Sequence, residues 1–206
     1  MSNETFIHLV RHGEVLNPHG LLYGRLPGFR LTPSGRNQAR AAGRAMSNNQ
    51  IQAIYSSPLL RARQTADAML LENPRADRHI SQYLDEVLSP YDGWSGEWLD
   101  ARQGDIYSSA GPEFEQPGDI VHRMKKFFRR IFARHSGGSI AAVTHGDVIT
   151  FTVLWANGFE LSPKNKLRLR RTGYPVSYPA HASITSLTFH ANDPEEKPAI
   201  TYFRPW

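Results

Sequence analysis

Two apolar runs in this chain end in the same way, and that shared ending constrains the fold more than any other feature. Phe6 to Val10 stops at Arg11-His12-Gly13-Glu14, and Ile140 to Val143 stops at Thr144-His145-Gly146. Short runs of this kind read as strands buried on both faces, and such parallel sheets carry their functional loops at the carboxyl ends of the strands. Each run delivers a histidine and then a glycine, which lets the backbone turn sharply and another group approach closely. If the two strands are neighbours, His12 and His145 share one crevice.

The rest of the chain supplies alternating strands and helices. Residues 5–10 read as the first, central strand, and 13–31 as a loop rich in Gly and Pro. Thr32 then Pro33 reads as an N-cap and first helical position. Ala39, Ala42, Ala45 and Met46 recur at helical spacing down to about Asn48. Ala53 to Ser56 is a second strand. Ser57-Pro58 opens a helix to about Leu71, on which Arg61, Gln64 and Thr65 share a face. A third strand is expected over 78–82. Residues 84–118 are irregular and aromatic, as a lid or binding loop is. Pro117-Gly118-Asp119 leads an amphipathic helix with Ile120, Met124, Phe127, Phe128, Ile131 and Phe132 inward, and Arg123, Lys126, Arg130 and Arg134 outward. After the strand at 139–144, Asp147 reads as the cap of a helix to Asn157. Lys166 to Arg170 alternates as a half-exposed strand does, and Ile184–Phe189 and Ala199–Phe203 read as closing strands. The expectation is an α/β fold: three αβα layers with a mainly parallel central sheet. Residues 1–206 are read as one domain with 84–118 as an inserted lid or cap.

Composition narrows the class. A chain of 206 residues that is 40% hydrophobic suits a globular domain and argues against disorder. No apolar run is long enough to span a bilayer, and no basic start with an apolar core marks a secretory signal, so a cytoplasmic location is expected. The absence of cysteine rules out disulfides, zinc–thiolate sites and a cysteine nucleophile. The formal charge of +5 is spread along the chain without an aromatic-interleaved RNA motif. An anion pocket is therefore expected rather than a nucleic-acid or membrane surface. The oligomeric state is left open, with a homodimer among the options.

Arg11-His12-Gly13-Glu14 with Asn17 resembles the signature of the histidine phosphatase superfamily, with its phosphoglycerate mutase-like fold. Leu31-Thr32-Pro33-Ser34-Gly35 with Gln38-Ala39, then Ser56-Ser57-Pro58-Leu59 with Arg61-Ala62 and Gln64-Thr65-Ala66, then Thr144-His145-Gly146, resemble the family's further blocks in the family's order. The resemblance implies Arg11, His12, Arg61 and His145 as a phosphate pocket, with His12 the nucleophile. It also implies a phosphohistidine intermediate and no cofactor or metal. The residue types suit those roles. An imidazole is unprotonated near neutral pH. Arginine forks fit phosphate oxygens. His145, protonated when phosphate is bound, would stabilise transition-state charge. Leu84-Asp85-Glu86 before Trp94 to Gly96 resembles the acid block and makes Glu86 the general acid, with Asp85, Asp92 and Glu97 as rivals. Burial beneath an aromatic lid would raise its pKa as an acid needs. Asn17, Tyr23, Gly24 and Arg25 are candidate substrate contacts. Glu14 is expected to hold the loop or Arg11, and His8 to be a packed core residue.

The expected activity is phosphomonoester hydrolysis on a small phosphorylated metabolite. The alternatives are a phosphoglycerate-type mutase and an idle member that binds phosphorylated ligands. A metallohydrolase reading is disfavoured because two arginines flank the histidines. Val15-Leu16 stands where mutases of the family tend to carry tryptophan, and the Phe203-Arg204-Pro205-Trp206 ending lacks their Lys- and Gly-rich tail. Both favour hydrolysis.

Overall fold

The structure, a computed structural model, describes residues 4–206. The strands are β1 (Thr5–Arg11), β2 (Ala53–Ser56), β3 (Asp77–Ile80), β4 (Ser139–Thr144), β5 (Ile184–Phe189) and β6 (Ala199–Phe203). They form one sheet in the order β3-β2-β4-β1-β5-β6. The first four strands in that order run parallel, while β5 pairs antiparallel with both β1 and β6. The helices are α1 (Pro33–Met46), α2 (Leu60–Leu70), α3 (Gly96–Ala101), α4 (Pro117–His135), α5 (Gly146–Ala156) and α6 (Pro163–Lys166). The architecture is the expected α/β one, with a mostly parallel sheet between two helical layers.

Alternation along β1 explains the layers. Ile7 and Leu9 face a core built from Phe127, Phe128 and Ile131 of α4 and Phe151 of α5. Val10 faces the opposite core, with Ala42 and Met46 of α1 and Ala62, Ala66 and Met69 of α2. The alanines let these helices lie close to the sheet. His8 is buried on the sheet with both ring nitrogens met, by Ser186 Oγ at 2.7 Å and Ser139 Oγ at 3.0 Å. Burial lowers its pKa to about 4, so it is a neutral core residue.

The register of β1 with β4 pairs Arg11 with Thr144, so His12 and His145 leave the sheet side by side. The two glycines act through close approach. A Cβ on Gly13 would lie 2.4 Å from the Gly35 carbonyl oxygen, and one on Gly146 would lie 2.2 Å from the Tyr178 hydroxyl. Neither glycine has a positive φ, so tight packing, not an unusual turn, requires them. Thr32 caps α1 by accepting the Gly35 N–H at 2.8 Å.

Four sequence-based expectations are corrected. Lys166 to Arg170 is not a strand: Ser162 accepts the Asn165 N–H, Pro163 takes the first turn of α6, and a 3₁₀ turn spans Leu169–Thr172. The alternation there is accidental, with Leu169 buried and Leu167 exposed. Asp147 does not cap α5. His145 holds the N-cap position, and the Asp147 carboxylate bonds to distant side chains. Arg123 does not face out but donates to Glu115 Oε1 at 2.7 Å and to the Tyr83 carbonyl at 2.6 Å. The second helix also starts at Leu60, later than Ser57-Pro58 suggests. No helix of the described residues is long and apolar enough to cross a membrane.

Candidate active site

His12 follows β1 directly, and its N–H donates to the Thr144 carbonyl at 3.0 Å, which ties the two histidine loops together. Its Nδ1 lies 2.9 Å from the Gly13 carbonyl. A carbonyl only accepts, so this bond places the ring proton on Nδ1 and leaves the lone pair on Nε2. Burial, followed by the charges of Arg61 and Arg11, holds the ring well below the ordinary imidazole value. His12 is therefore neutral at pH 7.

His145 packs against it, with ring centroids 5.3 Å apart. Its Nδ1 lies 3.2 Å from Arg61 Nη2. A guanidinium only donates, so the ring proton of His145 sits on Nε2. Burial, then Arg61 and His12, lowers this pKa well below the usual value too. The expected positive charge on His145 thus depends on an anion arriving to supply the counter-charge.

Arg61 lies in the first turn of α2 and is 1% exposed. It donates to the Gly24 carbonyl at 2.7 Å and lies over the Tyr23 ring at 4.7 Å. Arg11 donates to the Pro179 carbonyl at 2.8 Å and lies 5.0 Å from the Tyr178 ring centre. Arg11 Nε, Arg61 Nε and His145 Nε2 are all buried without a hydrogen-bond partner. An unmet buried donor costs about 1–3 kcal/mol. Three such donors around one neutral imidazole describe a receptor for an anion with several oxygens.

Glu86 stands beside this group. Its Oε2 lies 3.6 Å from Arg61 Nη2 and 3.3 Å from His145 Nδ1, and its Oε1 accepts the Val87 N–H at 3.0 Å. Burial raises its pKa, against the opposing pull of Arg61. His145 Nδ1 already spends its lone pair on Arg61, so an ionised Glu86 oxygen there meets repulsion that a proton removes. Glu86, His12 and Arg11 line a cavity of 490 Å³, and Arg61 and His145 lie one layer beneath.

A model of the histidine phosphatase superfamily (branch 1) matches residues 7–195. The chain belongs to the histidine phosphatase superfamily. An uncharacterized protein of Mycobacterium tuberculosis is 35% identical over 154 residues, covering 70% of this chain and 75% of that one. Phosphoserine phosphatase 1 of Hydrogenobacter thermophilus is 28% identical over 150 residues, covering 66% and 69%. Mycobacterial glucosyl-3-phosphoglycerate phosphatase has the same fold, with a TM-score of 0.77 at 21% identity over 98% of this chain and 99% of that one. Phosphatase or mutase-like chemistry is therefore supported for this chain, without a substrate.

In this member of the superfamily the other sequence-derived residues fall in three places. Tyr23 and Gly24 line the cavity. Asn17 does not: its amide accepts the Leu21 N–H at 3.1 Å and donates to the Leu21 carbonyl at 2.9 Å, stapling its own loop. Arg25 is also turned away, to the Glu86 carbonyl at 2.7 Å and Glu115 at 2.9 Å. It fixes the backbone that presents Glu86. Glu14 holds the loop rather than Arg11, accepting the Thr32 hydroxyl at 2.9 Å. Among the rival carboxylates, Asp85 accepts the Ser57 hydroxyl at 3.1 Å and the Glu86 N–H at 3.0 Å. Asp92 accepts the Arg25 N–H at 2.8 Å, and Glu97 is exposed and outside the cavity.

The shared face of α2 does serve the loop. Thr65 accepts the Gly13 N–H at 3.0 Å and Gln64 the Leu31 N–H at 2.8 Å. Sequence reasoning missed a second buried cluster at the cavity wall. Asp147 accepts from Tyr107 at 2.5 Å, Tyr178 at 2.7 Å and Lys166 at 2.8 Å. It also missed His181, whose ring centre is 5.6 Å from that of His12. Burial and then Arg11 lower the His181 pKa to about 3. The only signal available was a histidine just before the closing strand.

Proposed function

We propose that this histidine phosphatase hydrolyses small phosphomonoesters through a phosphohistidine at His12, without a metal. One observation carries the reading: a neutral His12, its Nε2 lone pair free, sits among three buried donors that lack partners. In the first step the lone pair of Nε2 attacks phosphorus and the bond to the ester oxygen breaks. Glu86 gives its proton to that oxygen, which leaves as the alcohol. In the second step water attacks the phosphoryl group, Glu86 takes back a proton, and the P–N bond returns its electrons to Nε2. Arg11, Arg61 and His145 hold the equatorial oxygens throughout, where charge develops.

Burial serves both partners. It lowers the pKa of the nucleophile and raises that of the acid, the direction each role requires. Residues 84–118 act as the inserted cap: Glu86, Asp92, Leu99 and Ile106 come from it to wall the cavity. The test is phosphate release from nitrophenyl phosphate by the wild type and by His12→Ala, with acid-labile labelling of the protein. A second arm supplies 3-phosphoglycerate with catalytic 2,3-bisphosphoglycerate. Turnover by His12→Ala, or phosphoglycerate interconversion without phosphate release, overturns the proposal.

A further inference from the structure

We propose that the cavity selects phosphomonoesters whose alcohol part is largely apolar and carries no second negative charge, an inference that rests on the phosphatase reading above and narrows its substrate. The charges on the cavity wall carry it. Only Arg11 and Lys166 are cationic among the lining residues; of the four lining acids, Glu86 is used with its proton in the proposed reaction and Asp147 is paired with Lys166, which leaves Asp92 and Asp100. Arg11 belongs to the phosphate. Lys166 is 9% exposed and already committed: it donates to Asp147 Oδ2 and to the Gly104 carbonyl, each at 2.8 Å. Nearby, Arg25 spends its guanidinium on Glu115 and the Glu86 carbonyl, while Arg123 binds Glu115 and the Tyr83 carbonyl through Nε and Nη1, keeps a buried Nη2 without a partner, and does not line the cavity.

A carboxylate or second phosphate on the substrate would therefore find, among the described residues, no unpaired cationic side chain on the cavity lining beyond the phosphate pocket. It would find acids instead. Asp92 Oδ1 is buried without a partner. Asp100 lies exposed on the lining, and no hydrogen bond or ion pair engages its carboxylate. Like charges placed against a ligand are a means of rejecting it. Six aliphatic side chains, Leu21, Leu22, Val87, Leu99, Ile106 and Leu167, form most of the remaining side-chain wall. Tyr23 and Tyr178 stand beside them, with Ser89, Gln103 and Ser177 as neutral polar groups. A volume of 490 Å³ admits a body larger than a three-carbon acid.

The experiment compares matched esters that differ by one carboxylate: phenyl with 4-carboxyphenyl phosphate, and glycerol 3-phosphate with 3-phosphoglycerate. Competition against nitrophenyl phosphate is read on the wild type, and binding is read by calorimetry on His12→Ala. The uncharged ester of each pair should bind on the order of tenfold more tightly or better, and hexyl phosphate more tightly than ethyl phosphate. Equal or tighter binding of the carboxylated esters, or no binding of any ester to either protein, overturns the inference. Asp100→Lys should shrink the ratio several-fold, and because a ratio is read, a general loss of activity cancels. An unchanged ratio refutes the charge argument. Selectivity in His12→Ala with no turnover by the wild type sinks the phosphatase reading alone. Turnover without selectivity sinks this one alone.

Discussion

Replacing Asp147 with Asn tests the cluster that joins the cavity wall to the start of α5. The carboxylate receives Tyr107 and Lys166 on one oxygen and Tyr178 on the other. An amide can keep its oxygen toward Tyr107 and Lys166 and offer its N–H to the Tyr178 hydroxyl, so shape is retained and charge is lost. Lys166 then keeps two neutral acceptors, the amide oxygen and the Gly104 carbonyl, and no counter-charge. Leaving one member of a buried pair uncompensated costs about 3–5 kcal/mol. Lys166 borders the cavity, where water can reach it, so the lower end, about 3 kcal/mol, is expected. For a chain of this size that is a drop of roughly 6–12 °C in Tm. The double variant Asp147→Asn/Lys166→Met removes both charges and should recover more than half of the loss. Burial raises the pKa of Asp147, but Lys166 and the two tyrosine hydroxyls outweigh it and the net shift is downward. A depressed folded pKa gives stability that is full above the unfolded value of about 3.9 and lost as pH falls through the folded value. The gap between wild type and Asp147→Asn should thus be constant above about pH 5 and close below pH 4. Thermal unfolding by circular dichroism across pH measures this. A double variant no more stable than the single one, or a gap that grows in acid, refutes the pairing argument.

Glu86→Gln should lose far more activity on alkyl phosphates than on nitrophenyl phosphate, whose leaving group needs little protonation. Equal losses on both would remove Glu86 as the acid. The acid limb of kcat/KM should lie below pH 6.5, because the His12 pKa is lowered, and the alkaline limb should follow the raised Glu86. An acid limb at or above pH 6.5 contradicts a neutral buried nucleophile. Activity should survive exhaustive chelation, since in the proposed pocket Arg11, Arg61 and the two histidines would meet the phosphate charge; recovery only on adding a divalent ion would overturn the pocket assignment.

The part of the site carried by regular elements was legible in the sequence. β1 and β4 are unbroken apolar runs that end at His-Gly, and a parallel sheet puts such ends together. Helical spacing put Arg61, Gln64 and Thr65 on one face, the family resemblance singled out Arg61, and all three reach toward the loop over 13–31. What escaped was made by segments that meet only after folding. Asn17 and Arg25 sit near His12 in sequence, yet each satisfies the loop backbone that water would otherwise have to solvate. Asp147 has the acidic character of a helix start, which hid its role as acceptor for residues 40, 19 and 31 positions away. Lys166 was lost to a false alternation, because Leu167 and Leu169 have opposite exposures by chance of a 3₁₀ turn.

The protonation states and the proposed selectivity follow from one distribution of charge. In the proposed reaction the pocket must attract a phosphate yet keep His12 unprotonated. Arg11 and Arg61 do both, since each repels a proton from the ring while attracting phosphate oxygens. Enough cation for one phosphate is therefore concentrated at the floor. Lys166 could have extended that field outward, but Asp147 cancels it at 2.8 Å. The Asp147→Asn variant frees this charge, so its residual folded fraction should bind 3-phosphoglycerate relatively better than the wild type does, measured against glycerol 3-phosphate. If the ratio stays fixed while stability falls, Asp147 is a purely structural tie, and selectivity must then be traced to Asp92 and Asp100.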